Sequence, residues 1–199
     1  MSIEIADTPR TAATPVVKRQ RIGERFVGAI VKIEQRAQTK VVDGVHVDQL
    51  KPNGKARQEL LVHCLAMPTN TAEVSLGDDR HKPEPGEPVR LILKGKAFGD
   101  WIEQRKTHRG GKVLVGDVVV QTVTHAQAYD AAGMPKGGEI TDQAQADATP
   151  RGTTLGFYGP VTLHEPKDQE WVTAAENAYR ALTAIEAAPA EDEFDESPF

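Results

Sequence analysis

Cationic and aromatic side chains are interleaved between residues 90 and 112. Proteins that bind single strands without sequence preference need this combination, because cations follow the phosphates and flat side chains stack on the bases. Phe98 and Trp101 are the stacking candidates, with a core or lid position as the alternative for Trp101. The candidate phosphate contacts, for which a solvated surface is the alternative, are Arg90, Lys94, Lys96, Arg105, Lys106, Arg109 and Lys112.

The basic residues are concentrated in the first part of the chain. The net charge is -5, but residues 16–125 carry 19 Lys and Arg against 13 Asp and Glu, whereas residues 126–199 carry 4 against 14. A basic segment followed by an acidic one is typical of nucleic-acid binders whose acidic end contacts proteins, and chance variation between solvated surfaces is the alternative. Further basic candidates on the earlier strands and turns are Lys32, Arg36, Lys40, Lys51, Lys55 and Arg57.

The patterns that enzymes require are missing from the sequence. The six histidines are scattered, without the paired spacing of a zinc site, and we expect neither a metal nor another cofactor. Residues 107–112 resemble a phosphate loop only superficially, because Val113 stands where the hydroxyl residue belongs. The carboxylates between residues 78 and 87 lie in a Pro-rich loop, which favours solvation over magnesium binding. We therefore expect a binding protein and not an enzyme.

Alternating apolar residues predict a mainly β chain. Residues 89–98 alternate with period 2, and the apolar run at 58–66 predicts a buried strand that contains Cys64. Short strands with interior glycines such as Gly28, and no long helix between them, predict a five-stranded OB-type β-barrel, which leaves few exposed edges. The expected strands are 26–33, 40–47, for which a short hairpin turning at Asp43-Gly44 is the alternative, 58–66, 89–98 and 112–124.

A single helix is expected near the C-terminus, over residues 167–188. Trp171, Ala175, Ala178, Leu182 and Ile185 recur at spacings of three and four residues. The sequence shows neither a signal peptide nor an apolar run of the roughly 18 residues that span a bilayer, so we expect a cytoplasmic protein without membrane contact. The expected organisation is a flexible arm at 1–20, an OB-fold domain at 21–125, a linker or excursion at 126–166 with a short strand or packed loop at 154–159, the helix, and an acidic tail at 189–199.

Residues 86–124 carry a family resemblance. The pattern is Gly86-Glu87-x-Val89-x-Leu91, then Lys94-Gly95-Lys96, Trp101, Gly111-Lys112 and a Val-rich strand. It resembles the fourth and fifth strands of bacterial and phage single-stranded DNA-binding proteins. The resemblance implies an OB fold that coats and protects single-stranded DNA during replication, recombination or repair, with assembly into homo-oligomers.

The C-terminal residues are similar to the acidic tip of the same family, an acidic run that finishes in Pro-Phe. The resemblance implies that the tip recruits replication and recombination proteins. A terminal aromatic ring fills an apolar pocket, its carboxylate meets a cation, and the acidic run steers the tail to a basic rim. A solvating tail is the alternative. The expected partner-binding residues are Asp195, Glu196, Ser197, Pro198 and Phe199.

The sequence also departs from the bacterial members of this family. A predicted helix stands almost directly before the tip, in place of a long disordered linker, and residues 51–67 lack a tryptophan. A divergent phage-type member, acting in the cytoplasm of a bacterial host, fits these departures. The alternatives are an accessory OB-fold subunit of a phage replication or recombination enzyme and a protein-interaction scaffold.

Overall fold

The computed structural model describes residues 14–42, 45–131, 133–150 and 152–187. Within these ranges the chain forms thirteen strands and three α-helices. The strands are β1 (Val16–Val17), β2 (Arg25–Ala37), β3 (Thr39–Val42), β4 (Val45–Asp48), β5 (Gln58–Ala66), β6 (Val74–Leu76), β7 (Asp79–His81), β8 (Pro88–Lys94), β9 (Val118–Thr122), β10 (His125–Tyr129), β11 (Pro135–Ile140), β12 (Thr154–Tyr158) and β13 (Val161–His164). The helices are α1 (Gly95–Thr107), followed by a 3-10 turn at His108–Gly110, α2 (Gln143–Asp147) and α3 (Gln169–Ala187).

Eight strands form one sheet in the order β13-β9-β2-β5-β8-β1-β6-β7. Neighbours are antiparallel, except that β1 runs parallel to β8. A three-stranded sheet, β11-β10-β12, and the β3–β4 hairpin complete the described strands. The protein is therefore mainly β with a C-terminal helix, as predicted. The hydrogen-bonded ladders of the described sheets do not close into a barrel.

The main core lies between the inner face of the large sheet and α1. Phe26 and Ile30 of β2 face this core, together with Val62 of β5 and Leu91 of β8. Because side chains alternate along a strand, the intervening residues of β2 point to the other face. The β2–β5 register shifts between Ile30 and Lys32, and this β-bulge returns Ile33 to the inner side.

The outer face of the sheet is covered by α3. Trp171 and Ala175 of this helix pack with Ala29, Val31 and Leu65 of strands β2 and β5. The helical spacing of the apolar residues thus predicted both the helix and its buried face. Cys64 is 1% exposed, as expected for a residue within a buried strand. No helix in the described part of the chain is long and apolar enough to cross a membrane.

Two segments differ from the sequence expectation. The strand expected to reach residue 98 ends at Lys94, because Gly95 has φ +54° and opens α1. Ala97 and Trp101, spaced by one helical turn, then enter the core together. Residues 126–166, expected as a linker, hold most of β10 together with β11, α2, β12 and β13. The short strand expected at 154–159 is present as β12, and the turn at Asp43-Gly44 falls outside the described residues between β3 and β4.

Candidate nucleic-acid interface

A groove of about 750 Å³ lies where three parts of the fold meet. One wall comes from the segment between β2 and β5, a second from the junction of β8 and α1, and the third from the three-stranded sheet. Residues far apart in sequence therefore share one surface. Its width and open mouth suit an extended chain better than an enclosed small molecule.

Four cationic side chains line this groove. Lys51, Arg57 and Lys96 are exposed and form no ion pair with any described residue. Lys94 differs, because its Nζ lies 2.8 Å from Oε2 of the buried carboxylate of Glu59. Three cations are thus available to a ligand, while the fourth is held in place by an internal partner.

Aromatic rings from two walls face the same groove. Phe98 comes from α1, and His125, Tyr129 and Tyr158 come from the three-stranded sheet. The rings of His125 and Tyr158 are stacked, with centroids 5.7 Å apart and an interplanar angle of 26°. The hydroxyl groups of Tyr129 and Tyr158 are hydrogen-bonded at 2.7 Å. Stacking and hydrogen bonding hold these rings as a preformed aromatic surface.

Strand alternation places the third wall. His125, Gln127 and Tyr129 of β10 line the groove, whereas the intervening Ala126 and Ala128 are buried. Pairing with β12 brings Tyr158 directly opposite His125. These groove residues were missed at the level of sequence because the last strand was expected to end at residue 124. The alternation of buried alanines with larger polar and aromatic residues was the signal that would have identified β10.

The ionisation of the groove residues is perturbed at one phenol. Burial, followed by the hydrogen bond from Tyr129, raises the pKa of Tyr158 to about 12. The phenol therefore stays neutral at physiological pH and acts as a hydrogen-bonding, uncharged wall. Glu139, the one acidic residue among the described residues that line the groove, lies with its Oε1 3.6 Å from His125 Nε2.

The structure gathers some of the predicted contacts at this groove. Lys94, Lys96, Phe98, Lys51 and Arg57 all line it. A smaller cavity of about 240 Å³ lies beyond Phe98 and is bordered by Arg105 and Lys106. Phe98 lines both spaces, so a strand that leaves the groove past this ring meets two further cations.

Trp101 corrects one prediction. Only 2% of this residue is exposed, because α1 turns it into the core of the large sheet. Although it borders the smaller cavity, the ring has too little free surface to stack on a base. The alternative interpretation, a core residue, applies to Trp101.

The remaining basic candidates lie outside the groove. Arg90 donates to the carbonyl oxygen of Thr14, and Arg36 pairs with Glu59 at 2.7 Å. Both side chains are thus engaged by partners within the protein. Others that do not line the groove are Lys32, paired with Glu34, Arg109, paired with Asp117 and Glu165, and the exposed Lys40, Lys55 and Lys112.

The proposed partner-binding residues 195–199 lie outside the described residues. Among the residues that the structure does describe, no group of three or more His, Cys, Asp or Glu side chains is arranged to hold a metal ion. Comparison with known proteins found no matching family model, no matching curated protein and no matching solved structure.

Proposed function

We propose that this protein binds single-stranded DNA in the groove and recruits DNA-processing proteins through its acidic tail. The observation that carries the proposal is the convergence of Lys51, Arg57 and Lys96 with a preformed aromatic surface. Unpaired cations attract phosphates without regard to sequence, and exposed ring faces stack on bases. An unpaired strand suits this surface better than a duplex, because a base must leave the stack of its neighbours to reach a protein ring.

The topology supports an OB-type barrel that is partly open. Strands β2, β5 and β8 form an antiparallel meander, α1 follows the third strand, and β9 returns to pair with β2. With β13 beside β9, these five strands are the proposed barrel. OB folds bind oligonucleotides on the face of their second and third strands, between the loop after strand 1 and the loop after strand 4.

The position of the groove agrees with that arrangement. The segment between β2 and β5 contributes Lys51 and Arg57, and the end of the third barrel strand contributes Lys94. The three-stranded sheet, which stands between the fourth and fifth barrel strands, contributes Tyr129 and Tyr158. The proposed strand path therefore crosses the part of the fold that OB proteins use for oligonucleotides.

The proposed biological role is that of a single-stranded DNA-binding protein of the phage type, acting in replication, recombination or repair. The basic groove and the acidic terminal residues divide the two tasks, DNA binding and partner recruitment, between opposite charges. Assembly into a homo-oligomer is part of the proposal and would join several grooves on one strand.

The test is fluorescence anisotropy of a labelled oligo-dT across a salt series. The variant Lys51→Gln/Arg57→Gln/Lys96→Gln removes the three available groove cations. The matched control Lys40→Gln/Lys55→Gln/Lys112→Gln removes three exposed cations that do not line the groove. Both variants have the same net charge, so a difference between them reports position.

The groove variant should bind more weakly and lower the slope of log affinity against log salt by about 0.7 for each neutralised phosphate, or about 2 in all. The control variant should keep most of the slope of the unmodified protein. Equal slopes in the two variants would show that only net charge matters and would remove the groove from the interface.

A further inference from the structure

A second cavity, of about 390 Å³, lies behind the wall of the groove. It is enclosed by the segment around β1, by β8 and by β12. Lys94 and Tyr158 line both spaces, so the cavity and the groove are separated by little more than these side chains. The other polar side chains at this cavity are the cations Lys18 and Arg19. None of the described residues that line it is acidic.

Arg19 is held in the cavity by neutral partners. Its Nη1 donates to Oε1 of Gln121 in β9 at 3.2 Å, and its Nη2 donates to the carbonyl oxygen of Ile92 in β8 at 3.2 Å. It forms no ion pair with any described residue. Burial lowers the pKa of this guanidinium, the direction expected where a charge is desolvated without a compensating anion.

A desolvated cation without an anionic partner is costly to maintain for structure alone. A neutral side chain would join β8 to β9 with less desolvation. A guanidinium presents five donors in a fixed plane, of which the two hydrogen bonds use only part, and it matches the oxygens of a phosphate. The Lys18 side chain also forms no ion pair with a described residue, so two cations of this cavity lack an internal anion.

We propose that this cavity is a phosphate-binding site in which Arg19 and Lys18 hold the anion beside Tyr158. The phosphate belongs either to a DNA strand that leaves the groove past Tyr158 or to a free phosphate or nucleotide. The site stands on its own contacts and does not depend on single-strand binding in the groove. A purely structural Arg19 that joins β8 to β9 would bind no anion.

The experiment is an NMR titration of the ¹⁵N-labelled full chain, first with inorganic phosphate and then with oligo-dT, with sodium chloride at matched ionic strength as the blank. Saturable amide shifts are expected at residues 16–19 and 155–158. Lys18→Gln, which removes no described side-chain hydrogen bond, should weaken phosphate binding several-fold. Arg19→Gln should weaken it tenfold or more, and Lys112→Gln should leave it unchanged.

The outcomes separate the two sources and the two proposals. Saturation by inorganic phosphate assigns the site to free phosphate groups, whereas shifts at these residues with oligo-dT alone assign it to the strand. Shifts with oligo-dT only at groove residues such as Lys96 and Tyr129 would overturn the phosphate site and keep the groove. Shifts with phosphate but none with oligo-dT would keep this site and overturn the proposed DNA binding. Because the titration uses the unmodified protein, it remains decisive even if Arg19→Gln fails to fold.

Discussion

Tyr158 occupies the position at which the groove and the phosphate cavity meet. It stacks on His125, shares a hydrogen bond with Tyr129 and lines both spaces. A single side chain thus couples the aromatic surface to the cationic pocket. Its environment is unusual enough to be measured directly, because burial and the Tyr129 hydroxyl both disfavour its anion.

The ionisation of Tyr158 gives the first prediction. Its pKa in the folded protein is about 12, above the ordinary value of 10.0. A raised folded pKa stabilises the fold fully below pH 10, and that contribution is lost as the pH rises from 10 towards 12. Ultraviolet titration should show one late-ionising tyrosine, absent in Tyr158→Phe and shifted to lower pH in Tyr129→Phe. A titration that is the same in all three proteins would contradict this environment.

The second prediction separates two aromatic residues on α1. Trp101→Ala should destabilise the fold by about 3 to 5 kcal/mol, because it empties a position in the main core. Phe98→Ala should weaken single-strand binding by about 1 to 3 kcal/mol, the usual contribution of one base stack. Denaturant unfolding and oligo-dT anisotropy measure the two effects. Normal oligo-dT binding by a folded Phe98→Ala protein would remove Phe98 from the interface.

At the scale of elements, the corner between β12 and β13 determines where Tyr158 stands. Gly159 is buried at this corner, and its carbonyl oxygen lies 3.4 Å from Nε2 of Gln121. A Cβ atom at Gly159 would overlap the carbonyl oxygen of Thr122, at the end of β9. Only a residue without a side chain lets the small sheet approach β9 this closely.

The third prediction follows from that close approach. Gly159→Ala must displace the β12–β13 corner, and we expect a loss of about 1 to 3 kcal/mol of stability, as for other overpacked positions. Oligo-dT affinity should fall with it, because Tyr158 moves. Gly138→Ala is the matched control, since the added methyl meets open space at an ordinary backbone angle. Equal unfolding midpoints for the two variants would show that the corner is not tightly packed.

At the scale of the whole molecule, the distribution of charge is the dominant feature. The described groove is basic, whereas residues 191–199 contain five acidic residues and no basic residue. Opposite charges in one chain attract each other through a field that salt screens. An acidic tail therefore competes with DNA for the same cations.

The fourth prediction tests this competition together with recruitment. Deleting residues 191–199 changes the net charge from -5 to 0, so oligo-dT affinity should stay the same or rise. Binding of partner proteins should collapse, with Pro198 and Phe199 dominating the loss at about 2 kcal/mol or more, the contribution of a desolvated aromatic anchor. Pull-downs and anisotropy measure the two effects.

A second variant tests the terminal carboxylate by adding one residue after Phe199. Extension should weaken partner binding while leaving oligo-dT affinity unchanged, because it alters only the end of the tail. Recovery of the same DNA-processing proteins by full-length, truncated and extended chains would reduce the tail to a solvating end. The groove proposal would stand in that case, because none of its residues lies in the tail.

The sequence by itself determined the class of the fold and part of the proposed interface. Period-2 alternation and a continuous apolar run identified the strands that form β8 and β5, and spacings of three and four identified α3 and its buried Trp171. Lys94, Lys96 and Phe98 were found because the residue types that bind single strands are recognisable without a structure. These features depend on local periodicity and side-chain chemistry, which a sequence contains directly.

Tertiary structure alone decided which residues share a surface. The left-handed Gly95 ends β8 and turns Trp101 inward, and pairing of β10 with β12 brings Tyr158 beside His125. Arg19 reaches its cavity only because β1 lies along β8. Local patterns define the faces of an element, but strand pairing and packing across long sequence separations determine which faces meet and which side chains remain exposed.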